Sequence, residues 1–121
     1  MASPYPGLYD AITIDHVYAS KAKLLPVYNK AADQPPYPLI QVQPGVKVKH
    51  LKISDMYRRE YITPVETIRI YAGGEVDSLI LENISTENYT QEEHMPILVN
   101  YGTIRHLDTK NIMENGEVVT L

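Results

Sequence analysis

LENIS at residues 81–85 shares one frame with three other stretches: IDHVY at 14–18, ISDMY at 53–57 and TKNIM at 109–113. The frame is apolar, any, apolar, any, polar, apolar. Its first position holds Ile12, Leu51, Leu79 and Leu107, and its second apolar position holds Ile14, Ile53, Leu81 and Thr109. His16, Asp55, Asn83 and Asn111 fill the polar slot, followed by Val17, Met56, Ile84 and Ile112. The anchors lie 39, 28 and 28 residues apart. Apolar residues at every second position mark a strand with one buried face.

The frame extends upstream. Val48, Val76 and Ile104 each precede their leucine by three residues, and before them stand the glycine turns QPGV, AGGEV and YGTI. Further back come LIQV at 39–42, TIRI at 67–70 and PILV at 96–99. Each unit therefore reads as strand, glycine turn, alternating strand, polar corner and variable loop. A unit of this length with two short strands cannot bury its apolar face alone and must stack on its neighbours, which predicts a β-solenoid. In such a stack Asp55, Asn83 and Asn111 lie above one another at about 4.8 Å. Short polar side chains tolerate left-handed backbone at a corner and hydrogen-bond along the stack. The three form an expected structural ladder, which His16 enters as an atypical first member.

VKVKHLKISDM, GGEVDSLILENIS and YGTIRHLDTKNIM together resemble successive rungs of the right-handed parallel β-helix class, the pectate-lyase and polygalacturonase-like proteins. The resemblance covers roughly residues 10–20 and 38–115. It implies a short right-handed parallel β-helix of about four rungs with long inserted loops, and an association with carbohydrate. The hydrolase members carry Asn-Thr-Asp, Asp-Asp and Gly-His-Gly motifs, none of which occurs here. The acidic cluster of the calcium-dependent lyases is also missing from adjacent rungs. A non-catalytic or incomplete module of a glycan-active protein is the leading expectation.

Residues 1–121 read as one β-helix domain, either a piece of a longer coil or one whose ends pair in a homo-oligomer. Residues 18–38 form an insertion or cap, in which ASKAKLL can make a turn or two of helix before Pro26. YRREYITPVE at 57–66 and the acidic TENYTQEEHM at 86–95 read as loops, and MENGEVVTL as a turn followed by a last short strand without a robust cap.

The chain has 121 residues, with 44% hydrophobic and 21% charged side chains, ordinary for a globular domain. Ten tyrosines occur with no Phe and no Trp, so the core is aliphatic. Net charge is −4 with scattered Lys and Arg, which argues against nucleic-acid and anionic-membrane partners. There is no cysteine, hence no disulfide or thiolate metal site. MASPYPGLYD lacks the features of a secretory signal and no apolar run is long enough to span a bilayer; the compartment stays open.

Outward carboxylates are the first place to look for glycan cleavage. Glu82 and Asp108 fall on adjacent strands two positions apart, about 8 Å between backbones, and inverting hydrolysis needs roughly 6.5–9.5 Å between carboxylates. Lys110 stands directly beside Glu82, so a solvated ion pair is the competing reading. The four histidines give no metal site, because His50 and His106 are separated by Ser78, and no cofactor is implied. Tyr57, Arg58, Arg59 and Tyr61, with Tyr71 and Tyr101 near the glycine turns, supply flat amphipathic rings and forked donors suited to a poly- or oligosaccharide. Two alternatives accompany the binding module: a polysaccharide hydrolase or lyase working through Glu82 and Asp108, and a structural solenoid used for assembly.

Overall fold

The computed structural model describes residues 7–20, 38–60, 65–88 and 95–121. The protein is all-β: 75% of the described residues lie in strands and none of them in a helix. The strands are β1 (Gly7–Ser20), β2 (Ile40–Val42), β3 (Val46–Glu60), β4 (Ile68–Ile70), β5 (Glu75–Asn88), β6 (Leu98–Asn100), β7 (Thr103–Glu114) and β8 (Glu117–Val118). They form two sheets, ordered β1-β3-β5-β7-β8 and β2-β4-β6. From β2 to β7 the chain alternates between the two. Every pairing is parallel except β7 with β8.

In the larger sheet the register follows the sequence frame. Ile12 pairs with Leu51, Leu51 with Leu79 and Leu79 with Leu107. Residues aligned in this way are called a column below. Two interruptions recur in every long strand, at Asp10/Lys49/Asp77/Arg105 and at His16/Asp55/Asn83/Asn111, where the pairing skips one position. At the second interruption the backbone is left-handed, with φ of 55°, 54°, 54° and 56°.

The burial pattern explains why the interruptions exist. In β3 the side chains on the core face are Val46 and Val48, then Leu51 and Ile53, then Met56, Arg58 and Glu60, all buried, and Ser54 is buried as well. Strict alternation would place Leu51 and Met56 on opposite faces, since side chains switch sides at each residue. Two exposed neighbours, Lys49 and His50, absorb the first phase change; Ser54 beside Ile53 absorbs the second. The buried face is thereby kept along all fifteen residues of the strand. Both sheets contribute to one core, in which Val42, Ile68 and Ile70 join Leu51, Ile53, Leu79, Leu81 and Ile84.

Two sequence readings change, and a third, the C-terminal turn with its last short strand, holds. First, Tyr57–Glu60 and Thr86–Asn88 belong to strands, because their inward side chains Arg58, Glu60, Thr86 and Asn88 are polar and masked the alternation. Second, β6 spans Leu98–Asn100 and pairs Ile68 with Leu98, one residue later than the PILV alignment implies. The turn after β6 is shorter than the one after β4, and Gly102 packs where a Cβ would lie 2.3 Å from the Gly74 carbonyl oxygen. Third, the C-terminus folds back: Asn115 and Gly116 have φ of 50° and 79°, as in a type I′ hairpin turn, and β8 lies antiparallel on β7. Ala19 and Ser20 are in β1; the rest of the expected helical turn in 18–38 lies outside the described residues, except Pro38 at its end.

Candidate functional site

The outward positions between the two interruptions form a flat polar face. Across it run the columns Thr13, Lys52, Ile80, Asp108 and Asp15, Ser54, Glu82, Lys110. Glu82 Oε2 stands 3.8 Å from Lys52 Nζ, and Lys110 is its neighbour on the other side. Glu82 and Asp108 therefore sit on a diagonal whose other corners are Ile80 and Lys110. The ion partner of Glu82 is Lys52, on the strand opposite to the one expected. A carboxylate pair for hydrolysis needs an open place for water between the two groups. Here Glu82 is spanned by a lysine on each side.

Beyond the second interruption the face changes character. Tyr18 and Tyr57 share a column, and their rings stack with centroids 5.2 Å apart and planes 15° from parallel. Offset stacking of this kind is the favoured geometry for aromatic pairs. The Tyr57 hydroxyl donates to Glu87 Oε2 at 2.8 Å, and the same oxygen lies 3.4 Å from Arg59 Nε. Loss of solvent around the phenol, and then the bond to the Glu87 carboxylate, raise the Tyr57 pKa above its ordinary value. The neutral phenol is thus held as a donor. Tyr18 is 67% exposed, leaving one broad ring face to solvent. Beside the pair lies a concavity of about 460 Å³ lined by Tyr18, Ser20, Leu39, Arg59 and Glu60, among other described residues.

Arg58 also lines this concavity, but its guanidinium is turned away from solvent. It is only 4% exposed, and its guanidinium points inward. Nη1 donates to the Val65 carbonyl at 2.8 Å and to Thr67 Oγ1 at 2.9 Å, while Nη2 donates to Glu60 Oε2 at 3.1 Å. A buried charge must be paired and hydrogen-bonded, and these bonds meet that need. These bonds hold β3 to the segment before β4. Tyr61 lies outside the described residues. Tyr18 was missed, although it fills the same slot of the repeat as Tyr57.

On the smaller sheet, Tyr71 accepts a bond from Arg69 Nη1 at 3.4 Å and donates to Gln41 Oε1 at 3.1 Å. The Arg69 guanidinium carbon stands 5.3 Å from the Tyr71 ring centre, and Nη2 also donates to Glu66 Oε1. These groups bond one another across β2 and β4, while Arg69 Nε is buried without a hydrogen-bond partner among the described residues. Tyr101 follows one strand later, 62% exposed and distant in the repeat from the Tyr18–Tyr57 pair. The five described residues of the six expected to bind therefore fall into separate places: Tyr57 and Arg59 on one surface, Tyr71 and Tyr101 on another, and Arg58 with its guanidinium inside.

The polar corner residues do form a chain of bonds. Asn83 Nδ2 donates to Asp55 Oδ1 at 3.1 Å, and Asn111 Nδ2 donates to Asn83 Oδ1 at 3.0 Å. His16 Nε2 lies 3.9 Å from Asp55 Oδ2 at the first strand. His50 and His106 share a column with Ser78 between them, and among the described residues no three His, Asp or Glu side chains gather as a metal site.

Among known proteins, the chain matches no family model, no curated protein and no solved structure.

Proposed function

We propose that the chain is a short right-handed parallel β-helix, related in rung pattern to the pectate-lyase and polygalacturonase-like class. In this reading it serves as a non-catalytic carbohydrate-binding module. The coiled reading draws support from the chain's alternation between two parallel sheets, from the single core they share, and from the two phase changes in each long strand. A strand that changes phase twice while keeping one face buried bends around that face. Repeated at a constant register, such bends wrap the chain into a coil.

The observation that carries the binding reading is the Tyr18–Tyr57 stack with Arg59 and Glu87 at its edge. A sugar ring presents an apolar C–H face to an aromatic plane and hydroxyls at its rim. Tyr18 supplies the plane. Arg59 supplies forked N–H donors suited to hydroxyls or a uronate carboxylate, and Glu87 supplies an acceptor. Glu82 and Asp108 lack such an arrangement, with lysines on either side of Glu82.

Titration of neutral and uronate-containing oligosaccharides into the protein, followed by calorimetry, tests this reading. Binding is expected to weaken about tenfold or more in Tyr18→Ala and in Arg59→Ala, corresponding to about 1.4 kcal/mol. Tyr101→Ala, on the other surface, is expected to leave it unchanged. Equal loss in all three variants, or binding by none of the oligosaccharides tried, would overturn it. Polysaccharide cleavage abolished by Glu82→Gln would instead establish the hydrolase alternative.

A further inference from the structure

Among the described residues, both outer strands of the larger sheet leave an edge unpaired. Among the described residues no strand pairs with β1 on the side away from β3, and none pairs with β7 over Thr103–Asn111 on the side away from β5. The apolar side chains report the same two ends. Ile12, Ile14 and Val17 at one, and Leu98, Ile104 and Leu107 at the other, stay partly exposed. Leu51, Ile53, Leu79 and Leu81, in the columns between, are sealed. An unpaired strand edge with apolar neighbours is a template for another strand.

We propose that these two edges are complementary to each other, so that β1 of a second copy docks head to tail on β7. We further propose that the C-terminal hairpin holds this contact in check. Extending the observed registers by one strand sets the second copy's residues 8–16 beside residues 103–111. Five pairs then become diagnostic. Asp10 pairs with Lys49 at 3.7 Å and Asp77 pairs with Arg105, a column alternating in sign. The next member would be Asp10 of the second copy, facing Arg105. Lys110 would face the second copy's Asp15.

The corner ladder continues in the same sense. Each amide donates to the preceding strand, Asn83 to Asp55 and Asn111 to Asn83. The member after Asn111 must therefore donate to its Oδ1. His16 has the same left-handed backbone as the ladder asparagines, and an imidazole N–H is a donor. Inside, Leu107 would meet Ile12 and Thr109 would meet Ile14. No column from 103 to 111 brings like charges together. Head-to-tail docking of unlike edges is heterologous, leading to a ring or an open stack rather than a closed two-fold dimer.

The obstacle is β8. It pairs with Met113 and Glu114, and the Val119 N–H donates to the Ile112 carbonyl at 2.9 Å. That strip is where residues 17–19 of the second copy would lie, so full docking requires the hairpin to open. Two residue pairs, the Val119–Ile112 bond and the packing of Val119 on the core hold the strand, and Asn115 anchors the turn to β5. The inference depends on the register of the strands and is independent of sugar binding.

The test keeps the full chain and compares its mass by light scattering with that of Val119→Pro, which removes the N–H bonded to Ile112. Self-association of the variant is expected at a concentration about tenfold or more below that of the unaltered protein. Adding Arg105→Glu and Lys110→Glu to it should restore the native behaviour. Mixing that chain with one carrying Asp10→Lys, Asp15→Lys and Val119→Pro should bring association back. The chain has no cysteine, so a second experiment needs only single introduced thiols. Chains carrying Ala11→Cys and His106→Cys, each also with Val119→Pro so that the hairpin no longer holds the contact in check, mixed and oxidised, should form the mixed disulfide several-fold in excess over the two homodimers. A statistical mixture, or a predominance of homodimers, overturns the proposal whatever the Val119→Pro variant does. Ser78→Cys with His106→Cys in one chain is the control: these are paired positions. If that internal disulfide fails to form, the strand register itself is wrong; if it forms and the mixed one does not, only the docking is refuted.

Discussion

Asn83 offers the most discriminating perturbation, because backbone and side chain make separable contributions there. It lies in the middle of the corner ladder, exposed, with φ of 54°. Left-handed backbone costs an ordinary residue about 1–2 kcal/mol, with β-branched side chains at the upper end, while glycine adopts it freely. Asn83 also makes two ladder bonds, one as donor and one as acceptor. Both are solvent-exposed: the amide bond with Asn111 contributes about 0.5 kcal/mol, the low end for a neutral hydrogen bond, and solvent screening holds the one to the Asp55 carboxylate to about the same. Asn83→Val loses both contributions and should destabilise by about 2–3 kcal/mol. Asn83→Gly loses the bonds but regains backbone freedom in the folded state, so its cost should be about 1 kcal/mol or less. Urea denaturation measures both, with the slope m unchanged and the Val midpoint lowered by about 1–2 M. Equal midpoints for Val and Gly, or a Gly variant weaker than the Val one, would refute the claim that left-handed backbone selects the residue at this corner.

The remaining predictions concern the core and the polar interior. Leu79→Ala, at a fully buried site, should cost about 3–4 kcal/mol in the same urea assay, while Leu107→Ala in the half-exposed end strand should cost roughly half that. Arg58→Ala removes the charged partner of buried Glu60 and should cost about 3–5 kcal/mol, whereas the Arg58→Met, Glu60→Met pair should recover most of it. Gly102→Ala places a Cβ 2.3 Å from the Gly74 carbonyl oxygen and 2.5 Å from that of Tyr71, both backbone atoms, so the thermal midpoint should fall even though alanine is the smallest possible addition. The phenol of Tyr57 should ionise above the usual value near 10 in an ultraviolet titration, and Glu87→Gln should bring it part of the way down. The raised value means that the neutral phenol stabilises the fold below about pH 10, and that this contribution is lost as pH rises through the folded-state pKa. An unchanged Tyr57 titration in Glu87→Gln would show that the carboxylate has no part in it.

Much of the larger sheet was legible because burial of aliphatic side chains leaves a mark on every residue. Leu51, Leu79 and Leu107 recur at a constant interval, and parallel strands held in register by one buried face align them. The corner was legible for a different reason. Left-handed backbone excludes most residue types, so Asp55, Asn83 and Asn111 stand out even when exposed. Aromatic pairing was written in the repeat as well, since Tyr18 and Tyr57 occupy equivalent slots, but a single tyrosine in a slot says nothing about stacking.

The reading failed wherever polar side chains face inward. Arg58, Glu60, Thr86 and Asn88 are all buried, and a pattern of apolar residues alone ends the strands too early. Whether an arginine belongs inside depends on what stands beside it, here Glu60, Thr67 and the Val65 carbonyl. Glu60 is two residues away on the same strand, but Thr67 and Val65 come from another segment, and only folding brings them to Arg58. The same is true of Glu82, whose lysine partner was settled by which neighbouring strand's side chain reaches it. Hydrophobic burial is a property of a residue and its spacing, so the chain itself determined the strands, their order and the corner. Pairing of charges and hydrogen bonds is a property of two residues and the distance between them, and that distance exists only in the folded protein.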